Sequence, residues 1–78
     1  MPPTDPLPPW VLHTREAVGV RVRELRTERG YSQERLGELA GLDRKTINRI
    51  EVAAYGTSLD HLTMIARALD APLASLFS

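Results

Sequence analysis

The stretch SQERLGELAGLDRKTINRI, residues 32–50, constrains the chain most, because it fits two short helices with almost nothing between them. Ser32 can cap the first, with Glu34 near its positive N-terminus, and Asp43 can cap the second. Between Leu39 and Asp43 lies a turn holding Gly41, a residue that reaches positive φ at little cost. Gly37 is small where the first helix must let the second pass closely, and Leu36, Ala40, Leu42, Ile47 and Ile50 fill the angle between them. Leu39 joins Leu36 and Ala40 on the inner face. A glycine-bearing turn of about three or four residues between two helices sets them at an angle.

Apolar periodicity adds three more helices to these two, which take residues 32–40 and 43–52. Thr14 can cap a helix over 14–29, with Val18, Val22 and Leu25 inside, Val20 outside and Gly30 as its stop. A fourth helix, 58–69, opens at Ser58 and turns Leu59, Leu62, Ile65, Ala66 and Leu69 inward. Pro72 suits the first turn of a fifth, 72–77, because its missing N–H is not needed there. No segment alternates with period two, so the expected fold is all-α, a compact five-helix bundle. MPPTDPLPP holds five prolines in nine residues. Residues 1–13 are therefore expected to form a flexible Pro-rich segment ahead of one domain, 14–78, with Trp10 folding back onto it.

With 78 residues and no cysteine, the chain has no disulfide framework, thiolate metal site or thiol nucleophile. No apolar run approaches the ~20 residues of a membrane span, and the start has no basic leader, so a soluble, cytoplasmic protein is expected. His13 and His61 are far apart, and neighbours Asp60 and His61 cannot face one another on a helix. Neither a metal site nor a cofactor site nor an enzyme is expected, and no small-molecule effector is evident. The net charge of zero hides a segregation: residues 15–49 hold nine cations against six anions. That is compatible with a local phosphate-facing surface.

At this point a resemblance becomes explicit. VGVRVRELRTERGYSQERLGELAGLDRKTINRIE, residues 18–51, resembles the DNA-binding domain of the Cro and lambda-repressor (XRE-type) family of helix-turn-helix regulators. SLDHLTMIARALDAPLASLF, residues 58–77, is similar to that family's fourth and fifth helices. The resemblance implies a transcriptional regulator that binds double-stranded DNA with its third helix in the major groove and acts as a homodimer on operator half-sites. A bare domain of this length resembles the small controller proteins of restriction–modification systems and phage or plasmid Cro-like repressors. The alternative is a protein-interaction module on the same fold, antitoxin- or coactivator-like, with weak or no DNA binding.

On a helical wheel Ile47, Ile50 and Glu51 share one side of the third helix; Arg44, Lys45, Asn48, Arg49 and Val52 share the other. Arginine and lysine can bond guanine edges and asparagine can bond adenine, so Arg44, Lys45, Asn48 and Arg49 are the expected base-contacting residues. The resemblance places Ser32 and Gln33 on a phosphate. Thr46, at the border of the wheel, suits a phosphate or thymine-methyl contact or a core-edge role; Tyr55 suits a phosphate or the domain edge. Arg26 and Glu51 match positions that form a buried ion pair in some relatives. The chain departs from the family after Glu51: VAAYGTS carries no cation where relatives have a glycine and a basic loop, which implies fewer phosphate contacts. His61, Met64, Ala68, Leu73 and Phe77 are the expected dimer interface, because the short C-terminal elements cannot turn all their apolar groups inward.

Overall fold

The structure, a computed structural model, describes residues 7–78. Four α-helices follow in order: α1 (Pro9–Glu28), α2 (Gln33–Ala40), α3 (Arg44–Glu51) and α4 (Leu59–Ala68). A 3-10 turn, Leu73–Phe77, closes the chain, and the described residues contain no strand. The all-α fold is as the periodicity indicates, but the fifth α-helix is absent. Pro72 stays extended (φ −62°, ψ 143°) and caps only five residues. There the Ser75 N–H and hydroxyl both turn back to the Pro72 carbonyl, at 2.9 and 2.7 Å, and this three-residue spacing belongs to a 3-10 turn.

The first helix begins five residues earlier than expected. Pro8 precedes a proline, which holds it out of the α region, and it is extended at φ −57°, ψ 143°. Pro9 then occupies the first helical position, and Val11 and Leu12 donate to the Pro8 carbonyl at 3.0 and 3.4 Å. Thr14 is therefore no cap; its hydroxyl donates to the Trp10 carbonyl one turn back, at 3.0 Å. Of the segment expected to be flexible, residues 9–13 are helical and residues 1–6 lie outside the described residues. Trp10 is not buried against the domain: it stays 71% exposed on the first turn of α1.

The other three starts are side-chain caps. Ser32 accepts from the Arg35 N–H (2.9 Å), Asp43 from Thr46 (2.7 Å) and Ser58 from His61 (3.0 Å). All four helices end alike, on a residue in the left-handed region: Gly30 (φ 72°), Gly41 (φ 78°), Ala53 (φ 57°) and Asp70 (φ 53°). Each reversal lets an amide reach back to an otherwise unpaired carbonyl, as when Ala54 donates to Arg49 at 2.9 Å and Ala71 to Ala66 at 2.9 Å.

One core joins Val18, Val22 and Leu25 of α1 to Leu36, Ala40, Ile47, Ile50, Leu62, Ile65, Ala66, Leu69 and Leu76. Two expected members lie outside it. Leu39 is 42% exposed because α2 also buries Gly37, which rotates its inner face away from Leu39. Leu59 is 63% exposed because it sits at the first position of α4, beyond the reach of the core. α1 is anchored to the C-terminal end of the chain by Arg21, which donates to the Ser75 carbonyl at 3.0 Å, and by Arg29, which donates to the Leu69 carbonyl. No helix of the described residues is long and apolar enough to cross a membrane.

Candidate nucleic-acid interface

The corner of α2 and α3 is held by backbone contact. A Cβ at Gly37 would meet the Leu42 carbonyl at 2.5 Å, so only glycine admits this approach. At the far end of α3, a Cβ at Gly19 would lie 2.6 Å from both the Ile50 and Glu51 carbonyls. α1 therefore touches the last turn of α3 backbone to backbone. Gly19 was missed by the sequence reading, although a glycine inside an apolar helical run is itself a sign of close approach.

Between these contacts α3 buries Ile47, Ile50 and Glu51 and turns Arg44, Lys45 and Arg49 to solvent. Thr46 and Asn48 are half-buried along the border. Hydrogen bonds from the Thr46 hydroxyl and backbone N–H hold the Asp43 carboxyl below its ordinary pKa, with smaller help from the Arg49 and Lys45 charges. None of the three exposed α3 cations pairs with a carboxylate among the described residues.

Behind this face lies a polar network. Arg26 donates to Glu51 through two nitrogens, Nε at 2.6 Å and Nη2 at 3.0 Å, and through Nη1 to the Tyr31 carbonyl at 2.8 Å. The side chains are 12% and 3% exposed, and the paired carboxylate raises the arginine pKa. Gln33 joins them: its Nε2 donates to Glu51 Oε1 at 3.1 Å, and its Oε1 accepts from Asn48 Nδ2 at 3.4 Å. The structure thus brings Arg26, Glu51, Gln33 and Asn48 into one chain of contacts from the interior to the edge of the exposed arc. Ser32 stands beside them, its hydroxyl engaged by the Arg35 N–H. Tyr55 lies apart, exposed on the segment after α3.

The expected dimer residues are divided. Ala68 and Leu73 pack partly against the core, His61 is half-buried, and Met64 and Phe77 are exposed. Met64 nevertheless leans over the α2–α3 turn, its Cε 3.7 Å from where a Gly41 Cβ would stand. The described residues contain no cluster of three or more potential metal-ligating side chains.

Comparison with known proteins agrees with this geometry. Residues 22–76 match the family model HTH_3, helix-turn-helix. The uncharacterised HTH-type transcriptional regulator YgzD of Bacillus subtilis is 40% identical over 57 residues, 73% of this chain and 86% of that protein. Among solved structures, the restriction–modification controller protein C.AhdI from Aeromonas hydrophila superposes with a TM-score of 0.79 at 41% identity, covering 81% of this chain and 96% of that one. SinR, a master regulator for biofilm formation solved in complex with DNA, superposes with a TM-score of 0.74 at 29% identity, covering 78% and 98%. With the glycine-locked corner, the capped third helix and these matches together, the chain belongs to the helix-turn-helix, XRE-type family of transcriptional regulators.

Proposed function

We propose that this chain is a sequence-specific regulator that binds double-stranded DNA as a dimer, with α3 in the major groove of each half-site. The observation that carries the reading is the outer arc of α3. Arg44, Lys45 and Arg49 are exposed, and unpaired among the described residues, on the side opposite Ile47 and Ile50, a face that core packing does not require. Arg44 and Lys45 lie in the first turn, where recognition helices reach base edges, and Arg49 follows one turn later. Asn48 reads from the border, while Ser32, Gln33, Thr46 and Tyr55 are proposed phosphate contacts. Gln33 is held for that task by Glu51 and Asn48 rather than free to search for it. The dimer is proposed to form on the α4 side bearing His61, Met64 and Ala68, with Leu73 and Phe77 of the closing turn beside it. SinR, solved in complex with DNA, supports DNA as the partner.

Selection of the purified protein against random duplex DNA tests this. The expected result is an enriched motif with two-fold symmetry and half-sites about 34–36 Å apart. Failure to enrich any motif at low salt would overturn the reading. It would favour a protein-interaction module, consistent with the uncharged segment 52–57 and its exposed Val52.

A further inference from the structure

The first turns of α1 overhang the core, since Val18 is the first buried residue of the helix. Opposite the overhang runs the segment that follows α3, and between the two lies a cavity of about 290 Å³. Its apolar lining comes from Trp10 and Val11 of the overhang, Val18, Ile50 and Leu62 at the edge of the core, and Phe77 of the closing turn.

One of its polar groups lacks a hydrogen-bond partner, and another, an arginine, has no carboxylate beside it. Thr57 Oγ1 is buried and has no hydrogen-bond partner among the described residues, a condition native structures rarely leave unanswered. Arg15 is half-buried against the same segment, so close that a Cβ at Gly56 would stand 2.9 Å from its Nη2. Among the described residues it pairs with no carboxylate, whereas Arg26 in the same helix does.

We propose that this cavity binds a small apolar monocarboxylate, its carboxylate held by the Arg15 guanidinium and the Thr57 hydroxyl and its body against Trp10, Val11 and Phe77. Pockets of this kind are mostly apolar with a few convergent polar groups that fix the ligand's orientation. One guanidinium fork and one hydroxyl supply enough donors for a single carboxylate. A more highly charged anion would find no second cation among the lining residues. A cavity of about 150 Å³ holds benzene, so this one suits a body of roughly a dozen non-hydrogen atoms. The ligand would join α1 to the segment immediately following α3; the proposal does not require DNA binding, although the cavity shares Phe77 with the proposed dimer face and Tyr55 with the proposed phosphate contacts.

Trp10 is the one tryptophan of the chain and borders the cavity, so its emission reports occupancy. The test titrates the purified protein with 3-phenylpropanoate and with octanoate, using 3-phenylpropanol as the uncharged counterpart, and checks each by calorimetry. At least one acid is expected to saturate a single site with Kd of about 0.1–3 mM, and the alcohol to bind at least tenfold more weakly. Arg15→Met should weaken the acid tenfold or more and Thr57→Val severalfold, with melting checked for both. The acid–alcohol comparison on the unaltered protein needs no variant. Equal binding of acid and alcohol, acid binding that survives Arg15→Met, or no saturation by either acid overturns the proposal.

Discussion

Glu51 receives three donors on one buried carboxylate, two from Arg26 and one from Gln33. Breaking such a pair from one side costs about 3–5 kcal/mol, because the remaining charge stays buried without its partner. A small domain has only about 5–15 kcal/mol in total. Arg26→Ala is therefore expected to lower the melting temperature by more than about 10 °C, at roughly 4–8 °C per kcal/mol for a domain this size. A melting curve within a degree of the unaltered protein would show that the buried pair does not hold in solution. Ala53 gives a prediction of opposite sign. Left-handed backbone costs an L-residue about 1–2 kcal/mol, against about 0.5–1 kcal/mol for the extra freedom of an unfolded glycine. Ala53→Gly should thus stabilise by about 0.5–1 kcal/mol in chemical denaturation, and a loss of stability would contradict the observed turn. At this scale the sequence was legible where a residue type states its own conformation. Gly30 and Gly41 announce helix ends; Ala53 and Asp70 do the same work in disguise. Arg26 and Glu51 could be paired on resemblance, but the arrival of Gln33 depends on side-chain geometry that spacing does not encode.

At the scale of elements, the cations of α1 and α3 are used differently. Arg21, Arg26 and Arg29 are engaged by Ser75, Glu51 and Leu69, so part of the basic excess of residues 15–49 serves the fold. Those of α3 pair with no carboxylate among the described residues. Arg44→Ala, Lys45→Ala and Arg49→Ala are expected to leave melting nearly unchanged, within about 0.5 kcal/mol. Each should weaken binding to a selected operator by about 1–3 kcal/mol for a base contact. Operator affinities indistinguishable from the unaltered protein in all three would remove α3 as the reading element. Gly19→Ala separates packing from propensity. Helix propensity alone would make it stabilising by about 1 kcal/mol. The clash with the Ile50 and Glu51 carbonyls should reverse the sign, to a loss of about 1–3 kcal/mol by urea denaturation, and a gain would mean that α1 and α3 lie farther apart. The expected fifth helix is a 3-10 turn, but the existence of α1 to α4 was legible from period and caps. The start of α1 was not, because Pro8 and Pro9 were read as part of an extended segment rather than as a residue held out of the helix followed by a preferred first position. Leu39 and Leu59 show the complementary limit: periodicity identifies a face, not whether anything stands opposite it.

For the whole molecule, the zero net charge means that attraction to a polyanion must come from local arrangement, and one α3 spans few base pairs. A two-fold pair of such helices is the proposed remedy. Sedimentation at micromolar concentration is expected to find a dimer, and Met64→Asp to dissociate it without unfolding. A monomer in the unaltered protein would exclude a dimer preformed before DNA. The all-α outline with its first four helices, the corner and the cationic arc were legible, since each rests on residue type at fixed spacing; the closing 3-10 turn and the cavity were not, since the one depends on Pro72 staying extended and the other on how far α1 overhangs. The two backbone contacts that hold α3, at Gly37 and Gly19, carry a consequence for the nucleic acid. A recognition helix clamped at both ends has little freedom to shift when two half-sites sit at an imperfect spacing or pitch. In the proposed dimeric mode the duplex would then bend or twist to meet both probes, and the elastic cost depends on the bases between the half-sites. Pyrimidine–purine steps in that untouched spacer should bind more tightly than stiff A-tracts, so part of the operator's sequence preference would reside in DNA that no side chain reaches.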